Sequence, residues 1–540
     1  MDSARRWNGW GHPDTDYPLP AEALLFLHQK LGAATPLPEV GLDAVVETVP
    51  PSRVEAHPLL DTGAEPRIRH ARGQSLPDWL AMKSGLYGCF PDAVAFPENR
   101  DQLVELLTLA REKRYCLIPY GGGTSVAGHI NPRQQPMPVI TVDMGRMNRL
   151  IAIDKESQIA TFGAGVAGPA LEAQLRGQGY TLGHYPQSFE LSTLGGWVAS
   201  RSSGQQSLHY GRIEQLFAGG KLETFDGCLE IAPIPASAAG IDLRELVMGS
   251  EGRIGILSEV DLRISPLPEK EAFYVAFLPS WDQGVAVVRR AAQQRIGLSM
   301  LRLSNPLETY TQLRLAGHAS AIALLERYLR LRGNRVGTGG AEGATLLTFG
   351  ITGSRSQHGA TLRQLKKLIR QGRGAYVGTL LGKRWQHGRF RFPYLRESLW
   401  QQGYMVDTLE TCTPWSNVTP LMHAIETSLR EELADEQEEV HVFSHLSHVY
   451  PQGSSIYTTY LFRAAQTPAA TLERWQRLKQ KASRVVVEQG GTISHQHGVG
   501  KDHAPYLRTE KGEYGVQRMA QICGLFDGQQ QLNPGTLLND

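Results

Sequence analysis

A chain of 540 residues exceeds what one hydrophobic core organises, so two or more packed domains are expected. Hydrophobic residues make up 41% and charged residues 20%, which excludes a largely disordered chain. A net charge of +2 without a long basic run excludes a nucleic-acid binder. The five cysteines, Cys89, Cys116, Cys228, Cys412 and Cys523, lie far apart with no CxxC or Cys/His spacing, so neither a disulfide framework nor a zinc site is expected. The N-terminal stretch has no apolar run of signal-peptide type, no segment is apolar over membrane-spanning length, and the last residues are not a peroxisomal tripeptide. A reducing, cytoplasmic setting is the expectation.

Taken in order, residues 1–89 are irregular and proline-rich, with one helical segment at Ala21–Leu31. They read as an N-terminal extension packed on a later domain. Asp101–Lys113 places Leu103, Leu106, Leu107 and Ala110 on one helical face. Tyr115–Pro119, Val139–Asp143 and Ile159–Phe162 read as strands. Pro169–Arg176 reads as a helix with proline in its first turn, and Leu257–Ile264 as a closing strand. These elements delimit a unit over 90–268. Beyond it, strands at Tyr274–Leu278, Leu346–Ile351 and Ser455–Phe462 are interspersed with helices at Gly284–Ile296, Ala319–Arg332, Thr361–Gln371 and Leu421–Glu436. They imply a second α+β domain over 269–484, with Gly333–Gly343 as a mobile loop and 485–540 as a segment completing the active site. The fold class expected is α+β.

Much of the chemistry points to loops. Pro119, Tyr120, Gly121, Gly122, Gly123, Thr124 and Ser125 follow a buried strand. Main-chain amides exposed by glycine, with two hydroxyls, form an anion-binding nest suited to a diphosphate. A triple glycine alone is equally a strand-to-helix turn, and the Walker ending is missing. A second cluster carries Gln187, Ser188, Ser192, Thr193, Gly195, Gly196, Ser200 and Ser203; a third carries Glu251, Gly252, Gly255 and Ile256. Gly163–Gly168 satisfies GxGxxG, but the only acid at the ribose-binding distance, Glu190, falls inside the second cluster. A Rossmann site is therefore the weaker reading.

These three loops, in this order, resemble the FAD-binding domain of the vanillyl-alcohol oxidase and para-cresol methylhydroxylase (PCMH) superfamily. The resemblance implies a two-subdomain FAD domain followed by a cap. Some members bind flavin covalently through a histidine after the triple glycine. Here that position is Thr124, which implies non-covalent FAD.

Arg6–Gly11, Gly183–Ser188, Leu301–Leu303, Gly388–Arg396, Leu409–Trp415, His445–Tyr450 and Ser494–Lys501 together resemble the alkyldihydroxyacetonephosphate synthase family. That family exchanges the acyl group of acyl-dihydroxyacetone phosphate for a long-chain alcohol, through an adduct at flavin N5 and without net redox change. The resemblance implies Tyr457, His495, His497 and His184 as catalytic residues, with Arg396, Arg302 and His445 binding substrate. It implies Arg396 on the phosphate, where an arginine fork suits a dianion. The family's run of three histidines is here His495-Gln496-His497, and glutamine cannot carry a proton at neutral pH. Its eukaryotic peroxisomal extension is absent, as in a bacterial cytoplasmic homologue.

Read without the resemblance, His495 and His497 with His445 or His448 are also a candidate metal set, but pocket-lining histidines are commoner and no metal is expected. An FAD-dependent D-2-hydroxy acid dehydrogenase or oxidase remains the alternative activity. The substrate is thus a small-molecule lipid or hydroxy acid. The Leu/Arg stretch 327–335 and the basic stretch 383–391 suit either a solvated face or peripheral contact with the inner membrane surface, and a homodimer is compatible with the reading.

Overall fold

The computed structural model describes residues 5–315, 319–337 and 342–539. Part of the Gly333–Gly343 loop therefore lies outside the described residues. The described residues form three main sheets and a two-stranded ribbon.

The first sheet joins Leu60–Asp61, Ala93–Ala95, Val139–Asp143 and Cys116–Tyr120 in that spatial order, the last three parallel. Helix Arg100–Lys113 starts at Asn99, whose side chain accepts from the Gln102 amide at 3.0 Å, and ends at Arg114, which adopts a left-handed conformation. Its buried face is the predicted set Leu103, Leu106, Leu107 and Ala110, packed against Leu117, Ile140 and Val142. The C-terminal stretch returns to this sheet: Leu117 donates to Gln531 and accepts from Asn533 on either side of a Leu117–Leu532 bridge.

The second sheet is antiparallel, in the order Leu150–Asp154, Ile159–Gly163, Ile256–Arg263, Phe217–Thr224 and Gly227–Ile231. The hairpin of its last two strands escapes the periodicity reading, because Phe217–Thr224 is buried along nearly its whole length and carries two glycines instead of alternating. The Gly163–Gly168 stretch shows why its glycines exist. A Cβ on Gly163, Gly165 or Gly168 would strike Met147, Met144 or Phe189 respectively, so the motif serves loop packing.

The third sheet has seven antiparallel strands: Ala375–Gly378, Lys270–Leu278, Thr345–Gly353, Met300–Ser304, His441–Leu446, Gly453–Arg463 and Tyr404–Pro414. Alternation divides its faces. Leu301, Leu303, Leu409, Leu446 and Ile456 enter the largest core, with helices Trp281–Gln293, Arg355–Gln371, Val418–Glu431 and Pro468–Glu488. Residues 5–89 join that same core: Trp10 and Trp79 are buried in it, Trp79 lies 6.2 Å from Trp400 between ring centroids, and the buried Lys83 amine reaches Glu397 at 2.6 Å. Among the described residues no helix is long and apolar enough to cross a membrane.

Candidate active site

Two adjoining cavities lie where the three sheets meet, of about 1160 and 850 Å³ including their open mouths. Thr124, Val126, Ser188, Ser202, Gln496 and His497 border both.

The first cavity is lined by all of Pro119–Ser125, by Ser188, Ser192, Thr193, Gly195, Gly196 and Ser200, and by Glu251, Gly252, Gly255 and Ile256. Among the described residues, no group accepts a hydrogen bond from the main-chain amides of Gly121, Gly122, Gly123, Thr124 or Ser125. Five consecutive amides without acceptors form a donor-rich cradle fitted to a polyanion. The glycines have a further duty. A Cβ on Gly122 would strike the Leu191 carbonyl and one on Gly121 would strike Thr193 Oγ1, so the first loop packs directly on the second. Trp197 fastens that second loop by donating from its indole to Ser192 Oγ at 2.7 Å. Two residues predicted for this cavity lie elsewhere. Gln187 lines the second cavity, where its amide donates to the Arg389 carbonyl at 2.7 Å, and Ser203 is buried and lines neither.

The second cavity is lined by Trp10, Gln74, Trp79, Phe392, Arg396 and Tyr457, among others. Its chemistry comes from the face of the seven-stranded sheet opposite the core. Tyr457 is directly opposite Glu410 on one neighbouring strand and His445 on the other, so all three project from one face. His445 pairs in turn with Ser304, two residues from Arg302, which joins the same face. His445 stacks on Tyr457 at 4.9 Å, while its Nδ1 meets Arg302 at 3.2 Å and Glu308 at 3.1 Å. Arg302 and His445 therefore support Tyr457 from behind and line neither cavity. Burial pushes the Tyr457 phenol up to about 12, so it stays protonated at neutral pH. Burial likewise pulls the His497 imidazole below its ordinary value, leaving it neutral.

Arg396 is held in place before any ligand arrives. One guanidinium nitrogen donates to the Gln74 carbonyl at 2.5 Å and another to Asp407 at 3.2 Å. Asp407 also accepts from Trp475 at 2.6 Å, and although burial opposes it, Lys479 and Arg396 hold its carboxyl below the ordinary range.

His184 and His495 stand one layer back. His184 packs on Trp197 and meets Ser202 Oγ at 3.2 Å; burial pulls it down to about 3, so it is neutral. His495 faces Glu410 at 3.3 Å through Nδ1 and the Tyr450 hydroxyl at 2.7 Å through Nε2. Glu410, which the sequence reading did not single out, is the hub of this layer. It is fully buried and accepts from Ser447 at 2.5 Å and from the Gln496 side chain, with His448 also at 3.3 Å. Burial would raise its carboxyl, but the imidazoles of His495 and His448 outweigh it and hold it well below the usual range. The ligand atoms of Glu410, His448 and His495 lie within 4.8 Å of one another, a different trio from the histidine sets weighed in the sequence.

The comparisons agree with this architecture. The model of FAD-linked oxidases, C-terminal domain, matches residues 267–537, and that of the FAD-binding domain matches 91–231. The chain belongs to the FAD-linked oxidase family, with FAD as its cofactor and a PCMH-type FAD-binding fold.

Within that class it is similar to alkyldihydroxyacetonephosphate synthases. It is 28% identical to the one from Trypanosoma brucei brucei, across 93% of this chain and 84% of that protein. It is 28% identical to the Caenorhabditis elegans one, across 97% and 94%. A solved alkyldihydroxyacetonephosphate synthase superposes with a TM-score of 0.83 at 25% identity, covering 98% of each chain.

Proposed function

We propose that this chain is an FAD-dependent transferase of the alkyldihydroxyacetonephosphate synthase type, exchanging the acyl group of acyl-dihydroxyacetone phosphate for a long-chain alcohol. One observation carries the proposal: Arg396, Tyr457 and His497, from three separate elements, line one cavity that shares a wall with the amide cradle.

FAD would be held non-covalently by the cradle Gly121–Ser125 together with Ser188, Ser192, Thr193, Gly195, Gly196, Ser200 and the Glu251–Ile256 turn. When bound, FAD supplies a ring nitrogen able to give and take an electron pair at a substrate carbon. The chain's own groups do the rest. Arg396, preset by Asp407 and Gln74, offers its remaining N–H groups to the phosphate. The carbon–oxygen bond to the acyl group breaks and one to the alcohol oxygen forms. The fatty acid leaves as its carboxylate, so the alcohol's proton must be taken by a base on the protein and passed to solvent. Neutral His497 is suited to accept it, and the Tyr457 phenol, which stays protonated, is suited to hydrogen-bond the departing carboxylate oxygen without giving up its proton. Gln496 cannot take part in that transfer, because its amide is committed to Glu410. A lipid substrate also suits the exposed Leu324 and Leu331 near Arg327 and Arg330 on one helix and the exposed Leu380 near Lys383 on another, the pairing of apolar and basic groups that meets an anionic membrane surface.

The test is anaerobic. Holoenzyme mixed with acyl-dihydroxyacetone phosphate and hexadecanol should release fatty acid while full oxidised-flavin absorbance persists after turnover. Rapid bleaching by D-2-hydroxy acids, with no fatty acid released, would instead identify a dehydrogenase.

A further inference from the structure

The amide cradle ends on a serine whose hydroxyl is already engaged. Ser125 Oγ accepts from the main-chain amide of His129 at 3.1 Å and lies 2.6 Å from His129 Nδ1. On the far side of the ring, His129 Nε2 faces Glu251 Oε1 at 3.2 Å. Glu251 is buried and itself fixed: its carboxylate accepts from the amides of Val499 at 2.5 Å and Gly500 at 2.9 Å. The histidine loop closes over this pair so tightly that a Cβ on Gly498 would come within 2.5 Å of His129 Nε2 and 2.7 Å of Glu251 Oε1. Ser125, His129 and Glu251 all line the first cavity, and the sequence offers no reason to single out His129.

We propose that His129 is a positioning residue that sets the direction of the Ser125 hydroxyl and thereby the number of donors the cradle presents to the FAD diphosphate. The inference rests on the reading that the diphosphate lies against Gly121–Ser125. The carboxylate of Glu251 faces Nε2 and carries no hydrogen to offer, so its charge favours a hydrogen on that nitrogen. The state of Nδ1 is then the state of the whole ring. When Nδ1 is bare, the Ser125 hydroxyl spends its one hydrogen on it and offers none to the cavity. When Nδ1 carries a hydrogen, it donates to Ser125 Oγ, and the hydroxyl hydrogen turns toward the cavity. The charged form of His129 therefore adds a donor and brings a positive charge close to the cradle.

The groups facing His129 are Glu251, Asp502 and Lys501, with His497 and His503 beyond. Burial lowers its proton affinity, but Glu251 outweighs burial and the net shift is upward. The cation is the form below that raised value, so the extra donor is present at low pH and lost as pH rises through it.

The experiment follows FAD release from holoenzyme on dilution, by the rise in flavin fluorescence, between pH 6 and 9.5. One hydrogen bond to a charged group corresponds to about tenfold in rate. Wild type should release FAD about tenfold faster at the alkaline end. His129→Asn, whose amide can donate to Ser125 Oγ at every pH, should release slowly and without a pH slope. Ser125→Ala should release about tenfold faster than wild type at pH 6, with only the shallower slope that the His129 charge contributes without the hydroxyl. A flat wild-type profile, a slope surviving in His129→Asn, or wild-type release from Ser125→Ala overturns the inference. A surviving slope would belong to Lys501, whose amine burial pulls down to about 8. Gly196→Val separates this from the placement of FAD. A Cβ there meets only Thr193 Oγ1, at an ordinary 3.5 Å, so the variant should fold and stay colourless. A fully yellow Gly196→Val, with native circular dichroism, would show that the cavity assignment itself is wrong and with it the inference.

Discussion

The two cavities are built from different materials. The cradle is made of main chain: small residues contiguous in sequence expose amides, and its shape depends on one loop resting on another through Gly121 and Gly122. The neighbouring pocket is made of side chains borne by elements far apart in sequence, Arg396 on a helix, Tyr457 on a strand and His497 on a late loop. The cradle should fail all at once when packing is disturbed, because its donors are held in common. The pocket should lose one function at a time, because each side chain has its own support.

The largest expected effect tests the first half of that contrast. Gly122→Val should abolish the flavin, because even its Cβ runs into the Leu191 carbonyl and the loops must separate. The purified variant should lack flavin absorbance near the oxidised band, and a fully loaded yellow protein would refute the packing argument. Tyr457→Phe tests the second half. It leaves the ring stacked on His445 and removes only the hydroxyl, so FAD content should be unchanged while turnover falls by about 10²–10⁴. Loss of flavin in that variant would mean that the two regions are not separable.

This difference in material also explains what was legible in the sequence. Arg100–Lys113, Val139–Asp143 and the loop after Pro119 announce themselves locally, by helical spacing, by a buried run and by consecutive glycines. The strands Tyr404–Pro414 and His441–Leu446 do not, because they are buried on both faces, so polar site residues sit among core residues with no solvent-facing alternation to mark them. Glu410 illustrates the cost. It sits in an ordinary Leu-Glu-Thr-Cys stretch, and its meaning appears only when strand register sets it opposite Tyr457 and a distant loop delivers His495 and Gln496 to it. The alternation in Leu301-Arg302-Leu303 carried the available signal for a strand with one polar, site-facing residue. Arg302, His445 and Arg396 entered the candidate set through family resemblance, since nothing local distinguishes them from surface groups.

Arg396→Met sharpens the contrast inside the pocket. It keeps the length of the side chain and its packing over Trp79 while removing every donor. It should raise KM for a phosphate-bearing substrate by about 10–100-fold, the worth of one or two charge-assisted hydrogen bonds. FAD content should hold. Asp407, which loses one cation, keeps Lys479 and the Trp475 indole, so thermal stability should fall only modestly.

Glu410→Gln gives the smallest effect and locates the seam between the two regions. Glu410 touches neither cavity, yet it holds His495 and Gln496, next to the His497 that borders both. Its carboxyl is held well below the unfolded value of ~4.3. A depressed carboxyl stabilises the folded state above the unfolded value, and that contribution is lost as pH falls through the lower, folded one. At pH 7 the glutamine variant should lose ~1–3 kcal/mol, read as a fall of a few degrees in the unfolding midpoint. The gap from wild type should narrow below about pH 4, where the unfolded carboxylate takes up its proton while the native one still holds out. Thermal unfolding of both proteins from pH 3 to 8 measures this directly. A constant gap at every pH would mean that the carboxylate charge plays no part in fastening the histidine loop, and that the loop is placed by Glu251 and the main chain alone.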